Sequence, residues 1–254
     1  MATIRTLGVV LLDPETENDI ASEICKLLGR AILPVGQLDR PGDPGRGFGT
    51  AFFFTELVTA SDGRQLLREY LLTADAISRA PYGEIGVRPS VTEPAGAASE
   101  GILLADFGAQ WVHLPEVGLA AMLARGLHEY AESRGWRWRT QPVTEAVAAP
   151  SDAVARIGNA PASAFVLALG VAEDGSRPLE AAIERVVRDG DDIRITTELP
   201  AGYVGAPVFG VEETPGGDLA VHCLGLVLPG EGGGHRVATF DRIRAALAAV
   251  SPGA

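Results

Sequence analysis

The stretch "AGYVGAPVFG" (residues 201–210) decides how the rest of this chain is read. Gly202 and Gly205 bracket Tyr203 and Val204, and Ala206-Pro207 leads into the apolar pair Val208-Phe209. Two close glycines, then a proline and an apolar run, predict a tight turn that feeds a strand. The residue in the middle of that turn is Val204, which has neither a lone pair nor a titratable group.

Working outward, "FVLALG", "AIERVVRDGD" and "IRITTEL" precede the turn, and "LAVHCLGLVLPG" follows it. Short apolar runs separated by turn signals predict a barrel or sandwich. A second group lies earlier in the chain. "FGTAFFFTELVTA" (48–60), interrupted by Thr55-Glu56, reads as two strands joined by a tight turn. "AILPVG", "REYLLTADAI", "ILLADF" and "AQWVHLP" read as further strands, and "QLDRPGDPGRG" (37–47) as a loop.

Three helices frame these groups. In "PETENDIASEICKLLGRA", Ile20, Ile24, Leu27 and Leu28 form one apolar face, with Asn18 or Asp19 as cap. Leu119, Leu123, Leu127 and Tyr130 line one face of a predicted helix over 115–135. "FDRIRAALAAV" closes the chain as a helix capped by Thr239 or Asp241. The predicted fold is mainly β: a helix and first barrel in 1–114, a connecting helix in 115–135, and a second barrel with a C-terminal helix in 136–254. The site is expected at the seam.

Composition narrows the function classes. The chain has 254 residues and a net charge of −12, so nucleic acid is not an expected partner, because phosphate binding needs a basic patch. In "GWRWRT" (135–140), strand alternation sends Trp136 and Trp138 to one face and Arg137 and Arg139 to the other. Cys25 and Cys223 are the only cysteines and read as small apolar residues, not as a disulfide. No histidine pair has metal-ligand spacing, so no metal or other cofactor is expected. The acids in "DGDD" and "VEETPGGD" read as hairpin turns. No apolar run reaches the ~18 residues that cross a bilayer, and the N-terminus lacks a signal-peptide pattern. The expected location is the cytoplasm, with no membrane partner. Lys26 is the only lysine among 21 basic residues, a bias typical of GC-rich genomes.

Three segments together resemble the trypsin-like serine peptidases. "GTAFFFTELVTASD" resembles their G-T-G-F-F-V-(turn)-L-V-T-A-A-H segment, which ends in the general base. "AQWVHLP" resembles the D-x-A-V-L-x-L strand that begins with the orienting carboxylate. "AGYVGAPVF" resembles the G-D-S-G-G-P-V-F turn of the nucleophile. The order is the family's order, and the likeness covers roughly 30–250. It implies two six-stranded antiparallel barrels of the chymotrypsin type, as in bacterial cytoplasmic members.

Carried over residue by residue, the resemblance places the base at Asp62 (or Ser61 with a one-residue slip), the orienter at Gln110 beside Ala109, and the nucleophile at Val204. Asp62 is a poor base for an alcohol, with an ordinary carboxylate pKa near ~3.9. Gln110 supplies no negative charge for an imidazolium. Losing nucleophile or base alone costs roughly 10⁶ in turnover in a measured serine protease. Tyr203 replaces the acid before the serine. Gly202 and the Val204 N–H stand where the family forms its oxyanion hole, so Gly202, Tyr203, Val204 and Gly205 are candidate ligand-binding residues. His235, in "GEGGGHR", is expected in a loop bordering the specificity pocket. His113 lies in a strand beside Trp111, and His128 on a helix next to Glu129. His222 and Cys223 are adjacent in a strand, so they point to opposite faces and do not form a dyad.

The expected function is that of a catalytically inactive trypsin-like pseudo-peptidase that binds a protein or peptide partner. The alternative is the same fold recruited as a non-proteolytic enzyme for a small molecule, with Asp62, Tyr203, Gln110 and a histidine around the old turn. A third reading is an active hydrolase whose catalytic residues lie at other positions.

Overall fold

A computed structural model describes residues 12–42, 45, 47–59, 62–98, 101–157, 161–168, 179–213 and 218–250. Helix α1 (Pro14–Leu28) opens the described chain. Its cap is Asp13, whose carboxylate accepts from the Glu15 and Thr16 N–H groups, so the helix starts earlier than the Asn18 or Asp19 expected. Glu17 is buried on its inner face, where it accepts from Ser163 and from Arg185 at 2.8 Å. A buried carboxylate is tolerated only when bonded in this way, and the bonds fasten α1 to the C-terminal barrel.

The N-terminal sheet contains β1 (Ile32–Leu38), β2 (Gly47–Thr59), β3 (Gln65–Ala74), β4 (Tyr82–Ile85), β6 (Ile102–Ala105), β7 (Val112–Leu114) and β8 (Leu119–Leu123). A short helix, α2 (Asp75–Ser78), follows β3, and β5 (Thr92–Glu93) pairs with β9 (Arg137–Trp138) as a separate ribbon. The sheet order is β6-β4-β1-β2-β3-β8-β7, with β10 (Val143–Thr144) parallel to β2. The second group forms one closed barrel: β11 (Ala162–Ala168), β12 (Glu180–Asp189), β13 (Asp192–Ile195), β16 (Gly234–Thr239), β15 (Leu219–Glu231) and β14 (Pro207–Glu213). The molecule is thus one closed six-stranded barrel and an eight-stranded sheet, in place of the two six-stranded barrels expected.

Two local readings change. Of the 48–60 segment, residues 48–59 are described, and they do not turn at Thr55-Glu56; β2 runs straight through that pair. Glu56 lies directly opposite Arg68, an opposite-charge pair that suits a continuous ladder. The turn comes later, at Gly63, which has φ +80°. The helix expected over 115–135 also divides. Leu119–Leu123 is strand β8, paired with Tyr70–Ala74, and only Arg125–Ser133 is helix α3. Leucines at 119 and 123 fit a helical face and a strand equally; burial of Leu119, Ala120, Ala121 and Met122 against the sheet selects the strand.

The main core joins the two β units. Phe52, Phe53 and Phe54 are fully buried on β2. Phe52 and Phe54 meet Phe240 of helix α5 (Phe240–Val250) at 6.4 and 5.0 Å, while Phe53 meets Trp138 on the other face at 5.7 Å. Trp136 and Trp138 are buried and Arg137 and Arg139 exposed, as alternation predicts. A short helix α4 (Ser151–Arg156) leads into the barrel. No helix among the described residues is long and apolar enough to cross a membrane.

Candidate functional site

The turn is built from one 3-10 segment, Ala201–Tyr203, ahead of β14. Tyr203 N–H donates to Pro200 O (2.9 Å), and Val204 N–H donates to Ala201 O (3.1 Å). Gly205 N–H donates to Val227 O across the barrel (2.8 Å). Gly205 has φ +88°, and a Cβ there would stand 2.2 Å from Thr50 O and 2.4 Å from Thr73 Oγ1. Only glycine fits that position.

The N-terminal sheet grips this turn through two buried threonines. Thr50 N–H donates to Val204 O (2.9 Å), and Thr50 Oγ1 donates to Gly202 O (2.8 Å). Thr73 Oγ1 donates to Thr50 O (2.8 Å). Gly202, Tyr203, Val204 and Gly205 are all buried, and Val204 belongs to the core that holds Phe52–Phe54. Burial is also what chiefly pushes the Tyr203 phenol up, with Glu180 adding to it.

An oxyanion hole needs N–H groups aimed at empty space beside the nucleophile. Here the Val204 N–H is spent on the Ala201 carbonyl. The carbonyl takes the place that a substrate oxygen would occupy, so this donor holds no ligand.

The three triad positions do not meet. Asp62 is exposed in the β2–β3 turn, where it accepts from Arg64 N–H (3.0 Å) and Arg64 Nε (2.6 Å). The Arg64 backbone bond, then its side chain, holds the Asp62 carboxyl below its usual range. Thr73, which touches the turn, lies at the other end of β3, about 30 Å away at ~3.3 Å per residue. Gln110 is exposed at the end of the 3-10 segment Phe107–Gln110, before β7. Asp62, Gln110 and the buried Tyr203 therefore line no common pocket.

His235 also lies elsewhere than expected. It is in β16 and buried, not in a loop. Its Nε2 accepts from Leu199 N–H (3.0 Å), so Nδ1 carries the proton and donates to Leu228 O (2.8 Å). Both ring nitrogens serve the barrel wall.

One cluster with catalytic residue types was not picked out from the sequence. Asp75 Oδ1 lies 2.6 Å from His113 Nδ1, and Arg79 Nε donates to Asp75 Oδ2 (2.7 Å). Ser78 Oγ donates to Asp75 O (2.9 Å) and sits 3.4 Å from the same His113 Nδ1. His113 Nε2 lies 2.8 Å from Gly108 O, which accepts from it. A relay places serine and carboxylate on opposite ring nitrogens. Here both crowd one nitrogen and a carbonyl holds the other, so His113 has none left to act as a base. The cluster ties β7 to α2.

His128 on α3 pairs with Glu69 of β3 at 2.5 Å, and Thr140 Oγ1 donates to the other Glu69 oxygen (3.2 Å). The bond to Glu69 raises the His128 pKa. Cys223 is fully buried, burial pushes its thiol pKa far up, and the neighbouring His222 is only half-buried. Among the described residues no three His, Cys, Asp or Glu side chains gather as metal ligands.

One concavity lies away from the turn. A groove of about 830 Å³ runs between α1, the Thr140–Val147 segment and the β14–β15 pair. Ile20, Ile24, Phe209 and Val221 line it, and Leu27 and Leu219 stand exposed beside it.

No protein-family model matches the chain, and no curated protein matches it. Solved structures are similar to it, and two of them illustrate the likeness. One is the serine protease of a human pathogenic astrovirus, 16% identical, TM-score 0.42, covering 84% of this chain and 91% of that one. The other is the serine endoprotease from Yersinia pestis, 10% identical, TM-score 0.49, covering 90% of this chain and 65% of that one. Likeness at this level says nothing of what the turn does.

Proposed function

We propose that this chain is a trypsin-like pseudo-peptidase of the cytoplasm, one that holds a protein or peptide segment and does not cut it. The order of motifs, a closed six-stranded barrel ending in a helix, and a turn at the seam with a β-sheet support the fold. The observation that carries the function is the Val204 N–H bonded to the Ala201 carbonyl inside a buried turn. Nucleophile and oxyanion donor are lost together. The run that meets this turn is "LLTADA" (71–76), so the base position of the L-V-T-A-A-H pattern falls on Ala76. No titratable side chain stands there.

A binding role asks for a surface, and the groove beside α1 supplies one. Its volume lies in the ~300–1,000 Å³ span of ligand sites, and its lining is mostly apolar. An apolar peptide segment of a partner fits this chemistry. Casein and fluorogenic peptides incubated with the chain test the inactivity. The expected result is no turnover, either by the native chain or by Val204→Ser, because restoring a hydroxyl leaves the hole filled and the base absent. Turnover by the native chain overturns the proposal. For the binding half, peptides selected by display against the chain are expected to lose about tenfold or more in affinity on Leu27→Glu. Selected peptides that bind this variant equally well place the binding surface elsewhere.

A further inference from the structure

One wall of the groove beside α1 is the edge of a strand. Strand β15 pairs with β14 in regular register from Leu219 to Cys223. Cys223 N–H donates to Val147 O (2.7 Å), and Cys223 O accepts from Ala149 N–H (2.8 Å), so the backbone groups of Cys223 face away from β14. Backbone groups alternate along a strand, so those of Val221 and Leu219 face the same way. The segment beside Cys223 arrives from a turn, in which Thr144 O accepts from the Val147 and Ala148 N–H groups (both 2.9 Å). Past that turn, among the described residues, no bond from this side reaches Val221 or Leu219. Both residues line the groove, as do Thr144 and Val147, so the cavity reaches from this edge to the turn.

We propose, given that the groove is the binding surface, that the partner segment held there adds as a strand to β15, extended, apolar at every second residue and flanked by lysine or arginine. Three observations select this occupant. The first is the backbone. A helix satisfies its own N–H and C=O groups, so a helix laid in the groove covers those of Leu219 and Val221 and leaves them unpaired, which costs free energy. An extended segment pairs with them, as in strand addition to an open sheet edge.

The second observation is the side-chain pattern. Leu219 and Val221 are two residues apart, so their side chains share one face of β15. Ile24 and Leu27 of α1 line the cavity as well. Leu27 is 56% exposed and Leu219 43%. A strand between them turns every second side chain toward α1 and the others away, so apolar residues are needed at alternate positions only. The third is charge. Asp19 and Glu23 are exposed on the α1 side, Asp218 is exposed beside Leu219, and none of the described lining residues is basic. Lys26 meets Glu23 at 2.7 Å and offsets one of these charges. Cations flanking the incoming segment complement the acids that remain.

The probes are peptides selected by display against the full chain and weakened about tenfold or more by Leu27→Glu. Each is resynthesised with a single N-methyl group moved along its backbone, which removes one N–H donor at a time and leaves the protein unaltered. Isothermal titration is expected to show affinity falling about tenfold at alternate residues and little between them, the two-residue period of a strand. Peptides that Leu27→Glu weakens but whose N-methyl scan lacks this period overturn the added strand and keep the groove as the binding surface. No peptide, or only peptides that bind Leu27→Glu equally well, removes the groove and the proposal with it. Asp19→Asn combined with Glu23→Gln is expected to lower affinity about threefold to tenfold, with the larger loss at low salt. Unchanged affinity in that double variant overturns the basic flanks.

Discussion

The two ends of the β2–β3 hairpin are built from the same kinds of residue and behave in opposite ways. At one end, Thr50 and Thr73 turn their hydroxyls inward and spend them on carbonyls of the neighbouring turn and strand. There Leu71 and Leu72 are buried as well; at the other end Thr59 is exposed, and Leu57 and Leu67 turn apolar side chains to solvent. The end that meets the candidate turn is sealed, and the end that carries Asp62, where the base is expected from the sequence, is open to solvent. Residue type did not decide this; partners did. A threonine facing a carbonyl is a clasp, and a leucine with nothing packed on it stays in solvent.

Gly205→Ala is the strongest way to break the sealed end. The new Cβ meets Thr50 O at 2.2 Å on a left-handed backbone, so chemical denaturation is expected to show a loss of about 3 kcal/mol or more. Thr50→Val keeps the shape and removes one hydroxyl, leaving Gly202 O buried without that donor; a loss of about 1–3 kcal/mol is expected by the same measurement. The smallest effect sharpens the contrast midway along the hairpin. Glu69 raises the pKa of His128 in the folded state, so their pair stabilises fully below the unfolded value of ~6.5 and fades as pH rises through the raised folded value. Thermal melts over roughly pH 6 to 9 are expected to show this decline, and His128→Gln to flatten it.

Much of the fold could be read in the sequence because burial follows period. Helices α1 and α5 and the Trp136/Trp138 alternation rest on apolar spacing that only one structure satisfies. Residues 119–123 satisfied two, and the sheet chose between them. The site was less legible for a specific reason. The pattern L-x-T-A occurs twice, at 57–60 and at 71–74, and the sequence gives no ground for preferring the second. The base position was read at Asp62 through the first copy. The turn touches the second, through Thr73 and Ala74. The Asp75–His113 pair spans 38 residues and becomes visible only once β7 and α2 are brought together.

The unbroken run of β2 carries an evolutionary consequence. Its pleat fixes Phe53 against Trp138 and Phe54 against Phe240, so deleting a single residue anywhere within 50–59 exchanges the two faces beyond that point. Length variation in this hairpin is therefore confined to the connection near Gly63, and there it proceeds in matched pairs, one residue on each arm. Homologues of this chain are expected to differ in how far the hairpin reaches, while keeping the spacing from Thr50 to Phe54 constant.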